Sequence, residues 1–348
     1  GPDHPHTLQA RNNLASAYQD AGRLNDAIAL YEQNLKDRTR ILGPDHPHTL
    51  TSRLNLASAY RAAGRLDEAI TLHEQNLKDL EGLLGPDHPH TLHARNNLAS
   101  AYQDAGRLNE AITLHEQNLK DLEGLLGPDH PHTLHARNNL ASAYQDAGRL
   151  NEAITLHEQN LKDLEGLLGP DHPHTLQARN NLASAYRAAG RLDEAITLYE
   201  QTLTDRTRIL GPHHPDTLTS RNNLASAYRD AGRLDEAIAL HEQNLIDLTH
   251  ILGPHHPNTL TSRNNLASAY QDAGRLDEAI ALHEQNLIDL THILGPHHPN
   301  TLTSRNNLAK AYRAAGRFED ADKLFETPSG SEDEQDGTEE DPAQEAGD

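Results

Sequence analysis

Arg11-Asn12-Asn13-Leu14-Ala15-Ser16-Ala17-Tyr18 is the stretch whose reading decides the fold. It returns from Arg95, Arg137, Arg179, Arg221 and Arg263, and in altered form from Arg53 and Arg305. A Gly-Pro step returns with it, at Gly1, Gly43, Gly85, Gly127, Gly169, Gly211, Gly253 and Gly295, so the period is 42 residues. A fixed period of this size predicts a solenoid of about eight repeats, each leaning on its neighbours. The repeats starting at Gly85 and Gly127 are identical at every position. Those starting at Gly211 and Gly253 differ only at Asp216/Asn258 and Arg229/Gln271, so whole units have been copied.

One repeat, Gly43 to Leu84, shows the local logic. Gly43-Pro44-Asp45-His46-Pro47 reads as a turn into a helix. Asp45 or His46 can cap it, and Pro47 fits the first turn, where its missing N–H costs nothing. Leu50, Leu56, Ala57, Tyr60 and Ala63 fall at helical spacings, and Gly64 takes the C-cap role that ends helix A. Helix B is expected from about Leu66 to about Leu83, with Ala69, Ile70, Leu72, His73, Leu77 and Leu80 as packing positions. Neither helix can bury its apolar stripe alone, so the next hairpin must cover it.

Bulk composition agrees with an array. Aromatic residues make up 3% of the 348 residues, with no Trp and two Phe. That is thin for one large core and sufficient when every repeat adds to a continuous seam. Absence of Cys removes disulfides, thiolate metal sites and thiol nucleophiles together. A formal charge of −22 argues against a phosphate-tracking nucleic-acid binder. With no signal peptide and no apolar run of spanning length, the expectation is a cytoplasmic protein without membrane contact. The opening Gly1, in register with a repeat boundary, points to a stretch of a longer chain. The eighth repeat departs from the others at Lys310, Phe318 and Phe325, and its helix B is expected to stop near Glu326-Thr327-Pro328. Residues 1–328 are therefore read as the array. Residues 329–348, with nine carboxylates and no Lys or Arg, read as a disordered acidic tail.

Leu14-Ala15-xx-Tyr18-xxx-Gly22 followed by Ala27 and Tyr31 resembles the tetratricopeptide repeat (TPR) signature. That repeat ordinarily runs about 34 residues. The longer form here, with Asn-Asn-Leu-Ala in helix A and Leu-Gly-Pro-Asp-His-Pro in the linker, resembles kinesin light chain repeats and the arrays of actinobacterial proteins. The resemblance implies an all-α, right-handed superhelical solenoid of antiparallel helix hairpins. It also implies a concave groove, lined by helix A, that binds peptide segments or partner proteins. Two positions depart from the family pattern. A small Ala is usual in mid-helix B, where Asn34, Asn76, Asn118, Asn160, Asn244, Asn286 and Thr202 stand here. A bulky apolar residue is usual at Arg11 and its equivalents. An unpaired buried amide costs about 1–3 kcal/mol, so each Asn should have a partner. For the arginines an ion pair with the Asp late in helix B is expected, Arg11 with Asp37 and Arg53 with Asp79, because an antiparallel hairpin brings those ends together.

Residues four and seven apart share a helix face, so Asn12, Ser16 and Gln19 form one row on helix A. By the resemblance, this row points into the groove. It recurs as Asn96, Ser100, Gln103; Asn138, Ser142, Gln145; Asn180, Ser184, Arg187; Asn222, Ser226, Arg229; and Asn264, Ser268, Gln271. Asn306 continues it, and Asn55 stands in the second repeat, where Leu54 interrupts it. Amides and hydroxyls can bond a peptide backbone without reading its sequence. The plainer reading of Asn13 and its equivalents is a bond to the neighbouring repeat. The linker histidines, such as His46/His48 and His90/His93, have spacings that could share an ion, but linker composition and capping explain them, so no metal is expected. His73, His115, His157, His241 and His283 occupy the helix-B aromatic position and are read as seam histidines kept neutral by burial. The basic spot at Arg23 and its equivalents reads as a charge near the end of helix A. Catalysis has no support, since a catalytic site needs one asymmetric cluster and identical repeats offer the same chemistry many times over.

The sequence thus predicts a non-catalytic scaffold, without cofactor, whose groove holds an extended peptide or a partner's helix. Two other readings stay open: a sensor or autoinhibitory region of a larger signalling NTPase, and a self-assembling structural array. A monomer or weak self-association is expected.

Overall fold

A computed structural model describes Gly1 and residues 3–325 of the chain. It is all-helical among the described residues. The helices alternate between a 16-residue helix A and a 19-residue helix B, the last B helix being shorter. The chain forms two compact units. The first, Gly1–Ala231, carries α1 (Pro5–Asp20), α2 (Leu24–Leu42), α3 (Pro47–Ala62), α4 (Leu66–Leu84), α5 (Pro89–Asp104), α6 (Leu108–Leu126), α7 (Pro131–Asp146), α8 (Leu150–Leu168), α9 (Pro173–Ala188), α10 (Leu192–Leu210) and α11 (Pro215–Asp230). The second, Gly232–Asp348, carries α12 (Leu234–Leu252), α13 (Pro257–Asp272), α14 (Leu276–Leu294), α15 (Pro299–Ala314) and α16 (Phe318–Lys323). Within each unit every helix packs against the next in sequence, as in a solenoid of hairpins. The proposed acidic tail lies outside the described residues.

Helix boundaries follow from a few residues. His46 is the N-cap, and its Nδ1 accepts from the His48 N–H at 3.1 Å, with Pro47 behind it. Thr49 Oγ1 donates to the Gly43 carbonyl at 2.8 Å and ties the helix to its linker. Helix A ends in a Schellman arrangement: Arg65 N–H reaches the Tyr60 carbonyl and Gly64 N–H the Arg61 carbonyl. Gly64 has φ +72°, the left-handed conformation that this stop requires. Gly85, which ends α4, has φ 86° and ψ 166°, a region open only to glycine.

The apolar seam runs from hairpin to hairpin. Leu50, Ile70, Leu77 and Leu80 of the second repeat pack with Ala94, Leu98, Ala101 and Tyr102 of the third. The same set recurs one repeat further on. Ala57, Ala59 and Ala69 are fully buried, which lets the helix backbones approach closely. Coverage comes from the preceding helix B: Leu56 and Leu98 are 4% exposed, whereas Leu14 of α1 is 47% exposed.

Charged and polar groups are held inside this frame. Arg11 Nη1 meets Asp37 Oδ2 at 2.6 Å and Arg53 Nη1 meets Asp79 Oδ2 at 2.5 Å, the pairs expected from antiparallel helices. Arg95–Asp121, Arg137–Asp163 and Arg263–Asp289 repeat the contact at 2.5 Å. The helix-B asparagines differ from expectation. Asn34 and Asn76 are fully buried, and neither amide atom of either makes a hydrogen bond; Oδ1 of Asn118, Asn160, Asn244 and Asn286 is likewise unbonded. Asn76 lies one helical turn from His73 and from Leu80 on the buried face of α4, where His73 Nδ1 is likewise unbonded. Thr202 avoids the problem by donating to the Leu198 carbonyl of its own helix at 2.7 Å.

His73, His115, His157 and His283 are buried at the seam, and burial pushes their imidazoles down to about 4.

Two expectations follow from this polar interior. Asp79→Ala leaves the Arg53 guanidinium buried without its counter-charge and should cost about 3 kcal/mol in urea unfolding. Adding Arg53→Met should then cost less than the sum of the single changes, and strict additivity would show that the pair is not coupled. The histidines set a pH dependence with a fixed sign. Above the unfolded-state value of about 6.5 they contribute nothing. Between there and about 4 the unfolded chain takes up protons that the folded seam refuses, so stability falls as pH falls, by about 1.4 kcal/mol per pH unit for each histidine. Below that window the loss levels off. The melting temperature should drop from pH 7 to pH 5, and drop less in a His115→Tyr/His157→Tyr variant, which copies the Tyr199 of the fifth repeat. Equal drops in both proteins would reject the histidine origin.

Candidate functional site

The helix-A row is present, and its members are bonded to one another across hairpins. Asn55 Nδ2 donates to Asn12 Oδ1 at 2.8 Å, a link of 43 residues. Asn139 donates to Asn96 at 2.8 Å, Asn181 to Asn138 at 2.7 Å and Asn223 to Asn180 at 3.0 Å; in the second unit Asn307 donates to Asn264 at 2.9 Å. The first asparagine of each pair therefore accepts from the following hairpin, and the second donates to the preceding one. The adjacent-repeat bond expected of the Asn13 type is seen, and the Asn12 type supplies its acceptor. Leu54 breaks the string: Asn97, which would donate there, makes no side-chain hydrogen bond among the described residues.

A second string runs beside it. Arg61 pairs with Asp104 and Gln103 with Asp146, while Arg187 Nε meets Asp230 Oδ2 at 2.5 Å. Gln145 faces Ala188 instead of an Asp, and its Nε2 reaches only Ser184 Oγ, at 3.5 Å. Ser142 accepts from Gln103 at the same distance. Ser226 and Ser268 donate to the carbonyls of Asn222 and Asn264 in their own helices. Ser16 meets the Tyr31 hydroxyl. Ser100 and Gln271 are half-buried, as are Gln19, Asn222 and Arg229 on the same row, whereas Asn306 is exposed. In the first unit the A helices themselves adjoin, α5 with α7 and α7 with α9, so the strings lie on a continuous helix-A surface.

Two linkages were not read from the sequence. Tyr60 Oη donates to Glu32 Oε1 of the preceding hairpin at 2.5 Å, and Tyr102–Glu74, Tyr144–Glu116 and Tyr186–Glu158 follow at 2.6 Å. Burial, then the bond to the carboxylate, raises the phenols of Tyr60, Tyr102, Tyr144 and Tyr186 to about 12. The guanidinium of Arg65 lies 4.4 Å from the centre of the Tyr60 ring and bonds Glu68 at the start of helix B. The repeated basic spot is thus engaged within its own hairpin. A signal was available in the 28-residue interval between Glu32 and Tyr60, which recurs with the period.

Chemically, the surface offers donors in series. With Oδ1 of Asn96, Asn138 and Asn180 occupied, their Nδ2 groups have no acceptor among the described residues. The linker histidines at His46, His88 and His130 are taken up as N-caps. No helix among the described residues is long and apolar enough to cross a membrane.

Comparison with known proteins agrees with this architecture. The tetratricopeptide repeat profile matches residues 6–78, 54–120, 91–161, 133–206, 178–245, 221–287 and 262–327. No curated protein matches the chain. Among solved structures, the nearly identical TPR-like repeats of a Podosopora anserina protein assigned as a kinesin light chain are 36% identical, with 59% of this chain and 97% of that one covered and a TM-score of 0.53. The apo quorum sensor NprR from B. thuringiensis shares the fold at 15% identity, covering 92% and 85%, with a TM-score of 0.62. A signal-transduction ATPase from Pyrococcus horikoshii with a tetratricopeptide repeat sensor shares it at 13% identity, covering 91% of this chain and 46% of that one, with a TM-score of 0.56.

The asparagine string carries its own test. Leu54→Asn should give Asn97 its acceptor and stabilise the array by about 1 kcal/mol in urea unfolding, the net worth of one hydrogen bond; a loss of stability would show that the amides do not need each other. The matched profile, the hairpin packing and the recurring helix-A motif lead to one conclusion: the chain belongs to the tetratricopeptide repeat family, in the long form shared with kinesin light chain repeats.

Proposed function

We propose that the chain is a non-catalytic scaffold that holds an extended peptide, or a helix of a partner protein, along the helix-A surface. The observation that carries this is the series of uncommitted Nδ2 donors on Asn96, Asn138 and Asn180, spaced by one hairpin each and fixed in orientation by the bonds their Oδ1 atoms accept. A fixed donor loses little freedom when it meets a peptide carbonyl, so several weak contacts can add. Ser100, Ser142 and Ser184 stand one turn along the same row, with Gln103, Gln145 and Arg187 beyond them. Selectivity would come from the variable members, Gln103 against Arg187 or Asp146 against Ala188. On this reading the array acts in the cytoplasm as a monomer or with weak self-association, and needs no cofactor.

A sensor reading is the second possibility, supported by the likeness to an ATPase whose tetratricopeptide repeats are its sensor. In that case the peptide site is filled by another part of a longer chain until a signal displaces it.

Peptide-library selection on the array tests the first reading. Selected peptides should lose at least tenfold in affinity when Asn96, Asn138, Asn180 and Asn222 are changed to Ala, provided the melting curve shows the variant folded. Equal binding to both proteins would remove the row from the site.

A further inference from the structure

We propose that the cavity between the third and fourth hairpins is a side-chain pocket for an arginine of a basic partner peptide. The chain displays the mode of occupancy with its own arginines in its first and fifth repeats.

The cavity has a volume of about 510 Å³ and lies where the start of α5, the end of α6 and the start of α7 meet. Leu122, Leu125 and Leu126 form much of its apolar wall. Asp87 and Asn118 also line it. Asn118 is 3% exposed, and its Oδ1 has no hydrogen-bond donor.

The equivalent place between the first and second hairpins is smaller, about 390 Å³, and has an arginine in its wall. Arg38, 5% exposed, donates from Nη1 to the His48 carbonyl at 2.9 Å and to Ser52 Oγ at 3.0 Å. Two residues on, Arg40 Nη2 meets Asp3 Oδ1 at 2.5 Å. The fifth repeat repeats both contacts. Arg206 donates to the Asp216 carbonyl, Ser220 Oγ and Gln177 Oε1, and Arg208 pairs with Asp171 at 2.6 Å.

The second, third and fourth repeats lack both cations. Leu80, Leu122 and Leu164 replace the first, and Gly82, Gly124 and Gly166 replace the second. Nothing lies within 4 Å of a Cβ built on Gly124. The serine has gone as well, with Ala94, Ala136 and Ala178 in its place. The aspartate has stayed: Asp45, Asp87 and Asp129 keep their positions, and no ion pair reaches any of them among the described residues. The pocket therefore keeps the carboxylate that Arg40 and Arg208 meet elsewhere and the His132 carbonyl whose equivalents receive Arg38 and Arg206, while both donors are missing from these repeats. The Asn118 amide oxygen is a further open acceptor, one that has no arginine partner in any repeat among the described residues.

A guanidinium fits this set. It is planar, carries only donors and remains charged. Its aliphatic stem would lie along Leu125 and Leu126, which are 49% and 45% exposed at the mouth. His93, His130, His132 and His135 line the rim, and imidazole rings can stack on a guanidinium plane. The −22 charge of the chain favours a basic visitor.

The test compares two proteins with two probes. One protein is the chain as it stands. The other, called the filled protein, has its open acceptors met from within by Leu80→Arg/Ala94→Ser, Leu122→Arg/Ala136→Ser and Leu164→Arg/Ala178→Ser, the pairing that Arg38 with Ser52 and Arg206 with Ser220 make naturally. The probes are an acetylated, amidated tetrapeptide with one arginine and the same peptide with citrulline, which keeps the shape and loses the charge. Calorimetric titration should show saturable binding of the arginine peptide to the unaltered chain. Affinity should be at least tenfold weaker for the filled protein, and at least tenfold weaker for the citrulline peptide. Should the filled protein melt differently from the unaltered one, Asp45→Asn/Asp87→Asn/Asp129→Asn takes its place, with at least a fivefold loss expected. No saturable binding to the unaltered chain, equal affinity for the altered one, or equal affinity for citrulline would overturn the proposal. Asn96 belongs to the helix-A row and also lines the cavity, so the row is tested apart from it with Asn180→Ala/Asn222→Ala, which should leave affinity for the arginine peptide unchanged; a tenfold loss there would place the peptide on the row instead. The two readings therefore fail separately.

Discussion

The structure depends on one constraint: a single helical hairpin cannot cover its own apolar face. Leu14 and Leu56 occupy the same position in successive repeats, and the second is buried because a helix B lies across it. The fully buried alanines allow that approach, and close approach brings the flanking polar side chains of adjacent hairpins into bonding distance. The Asn–Asn, Tyr–Glu and Arg–Asp contacts between hairpins are consequences of that docking. None of them can form inside an isolated hairpin. Each adds little on its own, but all require the same register, so together they select one way of stacking.

Much of this was legible in the residues. The period gave the hairpin array, Gly64 its turn, and the antiparallel geometry the Arg11–Asp37 and Arg53–Asp79 pairs. Those are features of one repeat, and a helical wheel with a turn suffices to find them. The bonds between repeats were harder. Asn12 and Asn13 are neighbours in sequence and belong to different interfaces, one facing the next hairpin and the other the previous one. Deciding which amide meets which requires the offset between docked helices, a tertiary quantity that spacing within one helix does not contain. The helix-B asparagines failed for the opposite reason. A general rule about buried amides predicted partners for Asn34 and Asn76, and neither amide makes a hydrogen bond.

Variation among near-identical repeats carries its own physical information. Where Arg38 and Arg206 stand, the following helix supplies Ser52 and Ser220 to receive them. Where Leu80, Leu122 and Leu164 stand, it supplies alanine. The matched pairs lie in adjacent repeats, so they belong to an interface rather than to a unit. In the second compact unit the match is lost: Leu248 and Leu290 face repeats that keep Ser262 and Ser304, and both hydroxyls are buried without a hydrogen bond. Duplicating a repeat copies both of its faces, including a face suited to a neighbour that is no longer there.

That asymmetry has a consequence for how such an array acquires a ligand. Every repeat presents different groups to its two sides: its first asparagine accepts from the next hairpin, its second donates to the previous one, and its tyrosine donates backwards while its Arg or Gln reaches forwards. A substitution in one repeat therefore breaks a bond on one side only and leaves the partner group in place. Leu54 does this to Asn97. The change from arginine to glycine at position 124 leaves Asp87 without a partner within its own repeat, in place at the exposed mouth of the cavity. A group left in that state is costly to the free protein in proportion to its burial, and a visitor that satisfies it recovers that cost on binding. In a repeat array, binding sites can thus arise by deletion of an internal partner, with no need to build a new constellation. The positions to search are those where one half of a recurring pair persists after the other has gone.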